Sequence, residues 1–457
     1  MSYDCAVTGG RVVLPYMGVF DQTVAIRGGR VSALLDPADQ VEAAEIIDAR
    51  GLHVFPGGID PHTHIVWMGR PIDYYASETR GAAVGGVTTL FNYLVGKDPL
   101  DAQYEEHRAA ADPRVYVDYA FHFDGMGETQ LERLSHYLQA YGVSSFKYFT
   151  NVKEFDAQRR GSAMANDGYL VDLMTALARI PGAVLEIHVE NPEICERFEG
   201  RARTSGRTDQ ASYNEGRPPL AEGEAALRVC YLALKTGCRI HLVHVSTGDA
   251  LDAVRHFRRQ GARISLEVSH SHFTLDCDTT DQLTLKSPPI RGFDDLVAVQ
   301  ASMLDGTADC IASDHGVAGK IRSERTTVWN STHAHPVLPF WLPLLFSEMV
   351  HKRGMDLVRA AEISSANTAR IFNLYPRKGT LLPGSDADLV LVDMEKEQVV
   401  DPTDMEADAD FALWEGWTLK GWPVRTLVRG RTVMVDGRIV GQPGWGQYLR
   451  RDPRPTT

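Results

Sequence analysis

The sequence has no Cys-x-x-Cys pair. Its six cysteines, Cys5, Cys195, Cys230, Cys238, Cys277 and Cys310, are scattered along the chain. That distribution reads as free buried thiols in a reducing cytoplasm, with disulfides as the lesser alternative. A long apolar run is also lacking. The most apolar stretch, Val337 to Phe346, is short and broken by Pro339 and Pro343, so no membrane span is expected. Positive charge is in deficit, with a formal net charge of −13, which gives a nucleic-acid role no electrostatic support. Met1-Ser2-Tyr3-Asp4-Cys5 has no basic start followed by an apolar core, so no signal peptide is expected and the cytoplasm is the expected location. No internal repeat is present. The only biased segment is the polar Arg201 to Gln210, expected as a loop.

What is present is a globular composition, 44% hydrophobic and 23% charged over 457 residues. That length fits one large barrel plus a smaller domain. Residues Tyr3 to about Ile47 read as short strands and turns. Val24-Ala25-Ile26, the turn Arg27-Gly28-Gly29-Arg30, and Val31 to Leu35 make a hairpin signal. The C-terminal part repeats the style in Ala387 to Val392, Val424 to Val428, and Val433-Met434-Val435 followed by the turn-forming Asp436-Gly437. Two β-rich ends around a different middle predict one small β-sandwich built from residues 1–55 and 377–441, with 442–457 as an extended C-terminal arm. The middle, residues 56–376, alternates apolar strands with helix-like stretches such as Leu170 to Ala178 and Ala225 to Leu234. Eight candidate strands end near His62, Leu94, Asp124, Phe149, His188, His244, His272 and Asp314. The fold class is therefore α/β, a (β/α)8 TIM barrel with a small β-sandwich.

The first of these strands runs into Pro56-Gly57-Gly58-Ile59-Asp60-Pro61-His62-Thr63-His64. On an extended chain, side chains two residues apart point the same way, so His62 and His64 can reach one metal ion. A strand end with two solvated histidines fits the motif equally well, and the other strand ends have to decide. Lys147 ends the fourth strand, His188 the fifth, His244 the sixth and Asp314 the eighth. All lie at carboxyl ends, where barrel active sites form. Each alone reads as an ordinary polar residue or a helix cap, but a lysine inside an apolar strand is rare. Imidazole and carboxylate are normal Zn²⁺ ligands, whereas an ammonium has no lone pair. Burial would favour the neutral amine of Lys147, which can add CO₂ to give a carbamate whose two oxygens bridge two metals. Two metals about 3.5–4 Å apart can share a hydroxide and polarise a carbonyl. Asp314 can ligate one of them and take the proton of the water.

With those residues in place, the sequence resembles the amidohydrolase superfamily, within it the dihydropyrimidinase/hydantoinase group, with allantoinase and dihydroorotase as cousins. The resemblance spans nearly the whole chain. It includes Arg217-Pro218-Pro219-Leu220-Ala221-Glu222-Gly223-Glu224-Ala225, Lys286-Ser287-Pro288-Pro289-Ile290-Arg291, and Gly379-Thr380-Leu381-Leu382-Pro383-Gly384-Ser385-Asp386-Ala387-Asp388-Leu389. It implies a binuclear metal hydrolase that opens a cyclic amide, ureide or imide, with metal-bridging hydroxide as nucleophile and Asp314 as the catalytic proton carrier. It assigns His62, His64, Lys147 and Asp314 to one metal, and Lys147 as N6-carboxylysine with His188 and His244 to the other. Zinc is the first expectation, with manganese or cobalt as alternatives, and CO₂ is needed for the lysine. Ser287 falls where the family holds the substrate amide through main-chain groups, and Asn330 is a candidate for its other amide-reading position. A homotetramer, or a dimer, is implied as well.

The sequence departs from the group at Val152, where hydantoinases and dihydropyrimidinases have a tyrosine that contacts the substrate carbonyl. Tyr148 and Asn92 are the candidate substitutes. Ile65-Val66 follow His-x-His where dihydroorotases have an arginine, which argues against dihydroorotate. His333 and His335 are candidate substrate contacts or loop residues. His270 and His272 are pocket-lining candidates and not ligands. The rival readings are an allantoinase-like enzyme, an acyclic amide hydrolase, and a non-catalytic scaffold related to dihydropyrimidinase. A scaffold is expected to lose metal ligands, and this chain keeps all six.

Overall fold

The computed structural model describes residues 2–65, 74–95, 100–152, 165–281, 283–317, 326–331, 333, 335–404 and 406–451. Val66, and residues 452–457 of the expected arm, lie outside these.

The central sheet has nine parallel strands. In chain order they are Gly58–His64, Val87–Val95, Asp118–Asp124, Ser145–Phe149, Val184–His188, Ile240–Leu242, Ile264–Ser269, Cys310–Ala312 and His315–Gly316. Neighbours in sequence are neighbours in the sheet. The last two lie at opposite edges, and His315–Gly316 pairs with Gly58–His64. The sheet thus curls round and its edges meet across Ser313-Asp314. The expected strand ends fall within a few residues of the observed ones.

These strands are near-continuously apolar because helices cover their outer faces and side chains fill the inside. Val87–Val95 and Asp118–Asp124 are buried almost end to end. Helices such as Asp167–Leu177 and Pro219–Thr236 lie where the 3.6-residue periodicity placed them. Arg201 to Gln210 is not a simple loop. Its first residues finish the helix Pro192–Thr204 and Gln210 begins another, capped by the Asp209 side chain. Polar composition suits an exposed helix as well as a loop.

Two further sheets come from the chain ends, the first from the N-terminal end alone and the second from both. One has four strands, Arg30–Leu35, Thr23–Arg27, Tyr3–Thr8 and Ala43–Asp48. The other has seven, and its seam is the antiparallel pairing of Leu389–Val399 with His53–Pro56. Val7, Ile26, Val54 and Leu389 share one apolar cluster. Both expected hairpins are present. Asp436 and Gly437 have φ of 46° and 76°, and Gly28 and Gly29 of 60° and 74°, the left-handed pairs that a two-residue turn between twisted strands requires.

Candidate metal centre

At the carboxyl end of the curled sheet, three ligand-type side chains converge. His62 Nε2 and His64 Nε2 are 3.2 Å apart, and Asp314 Oδ1 stands 3.3 Å and 3.5 Å from them. Beside this trio, His188 Nδ1 and His244 Nε2 are also 3.2 Å apart, and the ring of His244 lies 5.2 Å from that of His62. Lys147 points inward on the fourth strand, its Nζ 4.8 Å from the Tyr93 ring centre and 5.2 Å from that of Phe149. All six residues predicted as ligands are therefore on one rim.

The tautomers are set from behind. Glu267 Oε1 is 2.5 Å from His62 Nδ1, so the other ring nitrogen faces the trio. Glu190 Oε2 is 2.6 Å from His188 Nε2 and leaves Nδ1 facing His244. A carboxylate behind an imidazole is the usual support of a metal-binding histidine. Neither Glu267 nor Glu190 was singled out from the sequence. A glutamate within the apolar Ile264–Ser269 run is the signal that marks Glu267.

Burial controls the charges. It pushes the His62 imidazole down to about 4, and lowers His188 and His244 as well. It also lowers the Lys147 ammonium against the pull of Glu186 and Glu267. Burial opposes ionisation of Asp314 too, but the Lys286 ammonium and the nearby imidazoles hold its carboxyl well below the usual range. Burial thus favours neutral imidazoles at His62, His188 and His244 beside an ionised Asp314, the protonation states that metal binding needs. Asp314 and His244 have positive φ, 51° and 38°, a conformation that costs energy outside glycine and clusters at functional sites.

The expected substrate contacts fare differently. Side chains alternate along a strand, so Lys147 inside puts Tyr148 outside. There its hydroxyl is shared with the backbone of Asn166 and its ring stacks near Tyr169. Tyr148 therefore does not face the rim. Asn92 is fully buried, its amide spent on Ile65 N and Tyr93 O, and it anchors the end of the His62–His64 strand. Asn330 is exposed and caps its own short helix through Thr326 and Thr327. Ser287 lies in a tightly held segment, with its Oγ 3.1 Å from the Tyr213 hydroxyl. His270 bridges the carbonyls of Ala312 and Trp341, and His272 contacts that of Pro288. Both are structural. Val152 is buried just after the fourth strand.

Residues 53–433 match the Amidohydrolase family profile. The chain belongs to the amidohydrolase family. Among its relatives, a D-hydantoinase of Geobacillus stearothermophilus is 31% identical over 95% of this chain and 93% of its own. An Escherichia coli D-phenylhydantoinase is 32% identical over 97% of each. A solved D-hydantoinase from Bacillus sp. AR9 superposes with a TM-score of 0.90 at 30% identity, over 98% of this chain and 99% of that one. A dihydropyrimidinase from Brevibacillus agri gives 0.91 at 27%, over 99% of each. The amidohydrolase family implies a divalent metal, and the rim fits one. Ligand arms of about 2.0–2.1 Å at tetrahedral angles put donor atoms about 3.3–3.4 Å apart, close to the spacing of the His62, His64 and Asp314 donors. Lys147 Nζ and His244 Nδ1 are buried with no hydrogen-bond partner among the described residues, a costly state unless a ligand completes the site.

Proposed function

We propose that the protein is a metal-dependent hydrolase that opens a cyclic amide, ureide or imide ring, as the hydantoinases and dihydropyrimidinase it resembles are named for doing. The carrying observation is the convergence at one rim of four imidazoles, Asp314 and a buried lysine that has no hydrogen bond among the described residues. His62, His64 and Asp314 would hold one divalent ion, and His188 and His244 a second. Lys147, as its carbamate, would supply an oxygen to each. Zinc suits nitrogen donors with a carboxylate. When bound, the metals polarise the ring carbonyl and lower the pKa of water.

The chain does the rest. Asp314 accepts the proton of the attacking water and passes it to the leaving ring nitrogen. The segment Thr284–Arg291 carries main-chain groups toward the developing oxyanion. Its rigidity is supported by the Gln210 amide on Thr284 N and O, the Tyr213 hydroxyl on Leu285 O, and Arg291 paired with Glu222. Glu267 and Glu190 keep the imidazoles aimed. Elemental analysis of protein purified without chelator, with ring opening followed across hydantoins, dihydropyrimidines, imides and lactams, tests the proposal. Two metals per chain and ring opening lost on chelation are expected. Active protein with one metal or none overturns the binuclear centre.

The two terminal sheets are proposed to form a small β-sandwich domain, residues 1–55 and 377–441, beside the barrel domain 56–376. Their shared apolar cluster supports this. A homotetramer, or a dimer, is proposed on resemblance, supported by exposed Leu220, Leu227 and Tyr231 on one face of Pro219–Thr236. Sedimentation at micromolar concentration checks it, and a stable monomer contradicts it. The cytoplasm is the proposed compartment, supported by six buried free cysteines.

A further inference from the structure

The Lys286 side chain has no part in the mechanism above, yet its ammonium reaches the rim. Its side chain is fully buried and its Nζ contacts Asp314 Oδ2. Oδ1 of the same carboxylate is the oxygen that faces His62 and His64. The two oxygens of Asp314 are thus divided, one toward the ligand cluster and one toward a cation.

Both partners are held from behind. The Asp314 backbone is fixed by its turn. Ser313 N donates to Asp60 Oδ1, Ser313 Oγ donates to His62 O, and His315 N donates to Ser313 Oγ. What the backbone leaves open is rotation of the carboxylate. Lys286 comes from the segment clamped by Gln210 and Tyr213, where its own N–H donates to Thr284 Oγ1. His335 Nε2 lies 3.5 Å from the same Nζ. A buried ammonium is costly to leave unpaired, so Lys286 resists giving up Oδ2.

We propose that Lys286 is a positioning residue that keeps Asp314 a one-oxygen ligand. A carboxylate can ligate a metal through one oxygen or through both. With one lone pair of Oδ2 tied to Lys286, only Oδ1 is offered to the ion, and the second lone pair of Oδ2, kept off the metal, can take the proton in transit. Without Lys286 the carboxylate turns, both oxygens go to the metal, and the proton carrier is lost while the ion is kept. The inference rests on the metal-centre reading and deepens it.

The test compares wild type with Lys286→Met, which keeps the buried stem, and Lys286→Arg, which restores the charge. Lys286→Gln, which keeps one donor, covers the case in which the Met variant does not fold. Each is loaded with Co²⁺, whose visible absorption weakens as coordination number rises, and metal affinity is measured by chelator competition. In Lys286→Met the absorption is expected to fall, metal affinity to hold or rise, and kcat to drop about 10–100-fold, the usual effect of losing such a partner, with KM little changed. Lys286→Arg recovers spectrum and kcat together, and Lys286→Gln falls between. A wild-type spectrum in Lys286→Met overturns the inference even if kcat is lost, because the lysine then acts elsewhere. A changed spectrum with full kcat also overturns it. A wild-type protein that binds Co²⁺ but opens no ring refutes the proposed function, and the spectra still decide the role of Lys286.

Discussion

Lys147 is the residue whose chemistry depends most on its surroundings. Its Nζ is buried without a hydrogen bond among the described residues, and its ammonium is disfavoured by desolvation. Lys147→Ala is expected to abolish ring opening and to lose the ion held by His188 and His244, and short carboxylic acids should restore part of the activity by standing in for the carbamate. Full activity without the lysine would make it structural. Val152 carries a second expectation. An oxyanion donor is worth about 10²–10³ in rate, and no hydroxyl stands at this position. Plain dihydrouracil and unsubstituted hydantoin should be poor substrates, with Val152→Tyr gaining on hydantoins and losing on the native ring, as kcat/KM across a ring panel would show. All six ligand candidates were legible because each lies at or near the carboxyl end of a strand and the family resemblance names the same positions. Lys286 was not, since it sits in an irregular segment whose contacts only tertiary structure makes. Tyr148 was misread because its neighbour in sequence lies on the opposite face.

The elements are fixed by close approaches that glycine permits. Gly85 follows the helix Tyr74–Val84 and precedes the second strand of the curled sheet. A Cβ built there would sit 1.8 Å from Leu338 O, a backbone atom with nowhere to go. Gly85→Ala should therefore destabilise the fold by about 1–3 kcal/mol, the usual cost of overpacking. The expected readout is a lower urea midpoint at unchanged slope, and an unchanged midpoint would show that the turn at Leu338 yields. Strand and helix positions were readable from periodicity, and the two glycine-bearing hairpins from their turn residues. The helical character of Arg201 to Thr204 was not, because exposed helix and loop share a polar composition.

At the scale of the molecule, the two ends of the barrel do different work. The rim described above lies where the strands finish. Asp118 lies where the third strand begins, and there the chain ties its distant parts together. Lys378 Nζ is 2.6 Å from Asp118 Oδ2, 2.5 Å from Asp388 Oδ2 and 3.2 Å from Asp386 Oδ2. Arg429, just past the strand Thr418–Val428, pairs with the other oxygen of Asp118, which also accepts from Gln447 N of the C-terminal arm. Arg451 of that arm reaches Ser145 Oγ and Phe121 O from the same side. One buried cluster thus joins barrel, terminal sheet and arm. Lys378, Asp386 and Asp388 are close in sequence, but no pattern announces the cluster, because Asp118 lies 260 residues from Lys378 and each charge alone is ordinary. Removing one partner of a buried pair costs about 3–5 kcal/mol, since the remaining charges stay buried without compensation. Lys378→Met should therefore lower the unfolding temperature markedly. Because the cluster is at the opposite end of the strands from the ligands, metal content, kcat and KM should be unchanged at temperatures where the variant is folded. A loss of metal in the folded variant would instead mean that the two ends of the barrel are coupled.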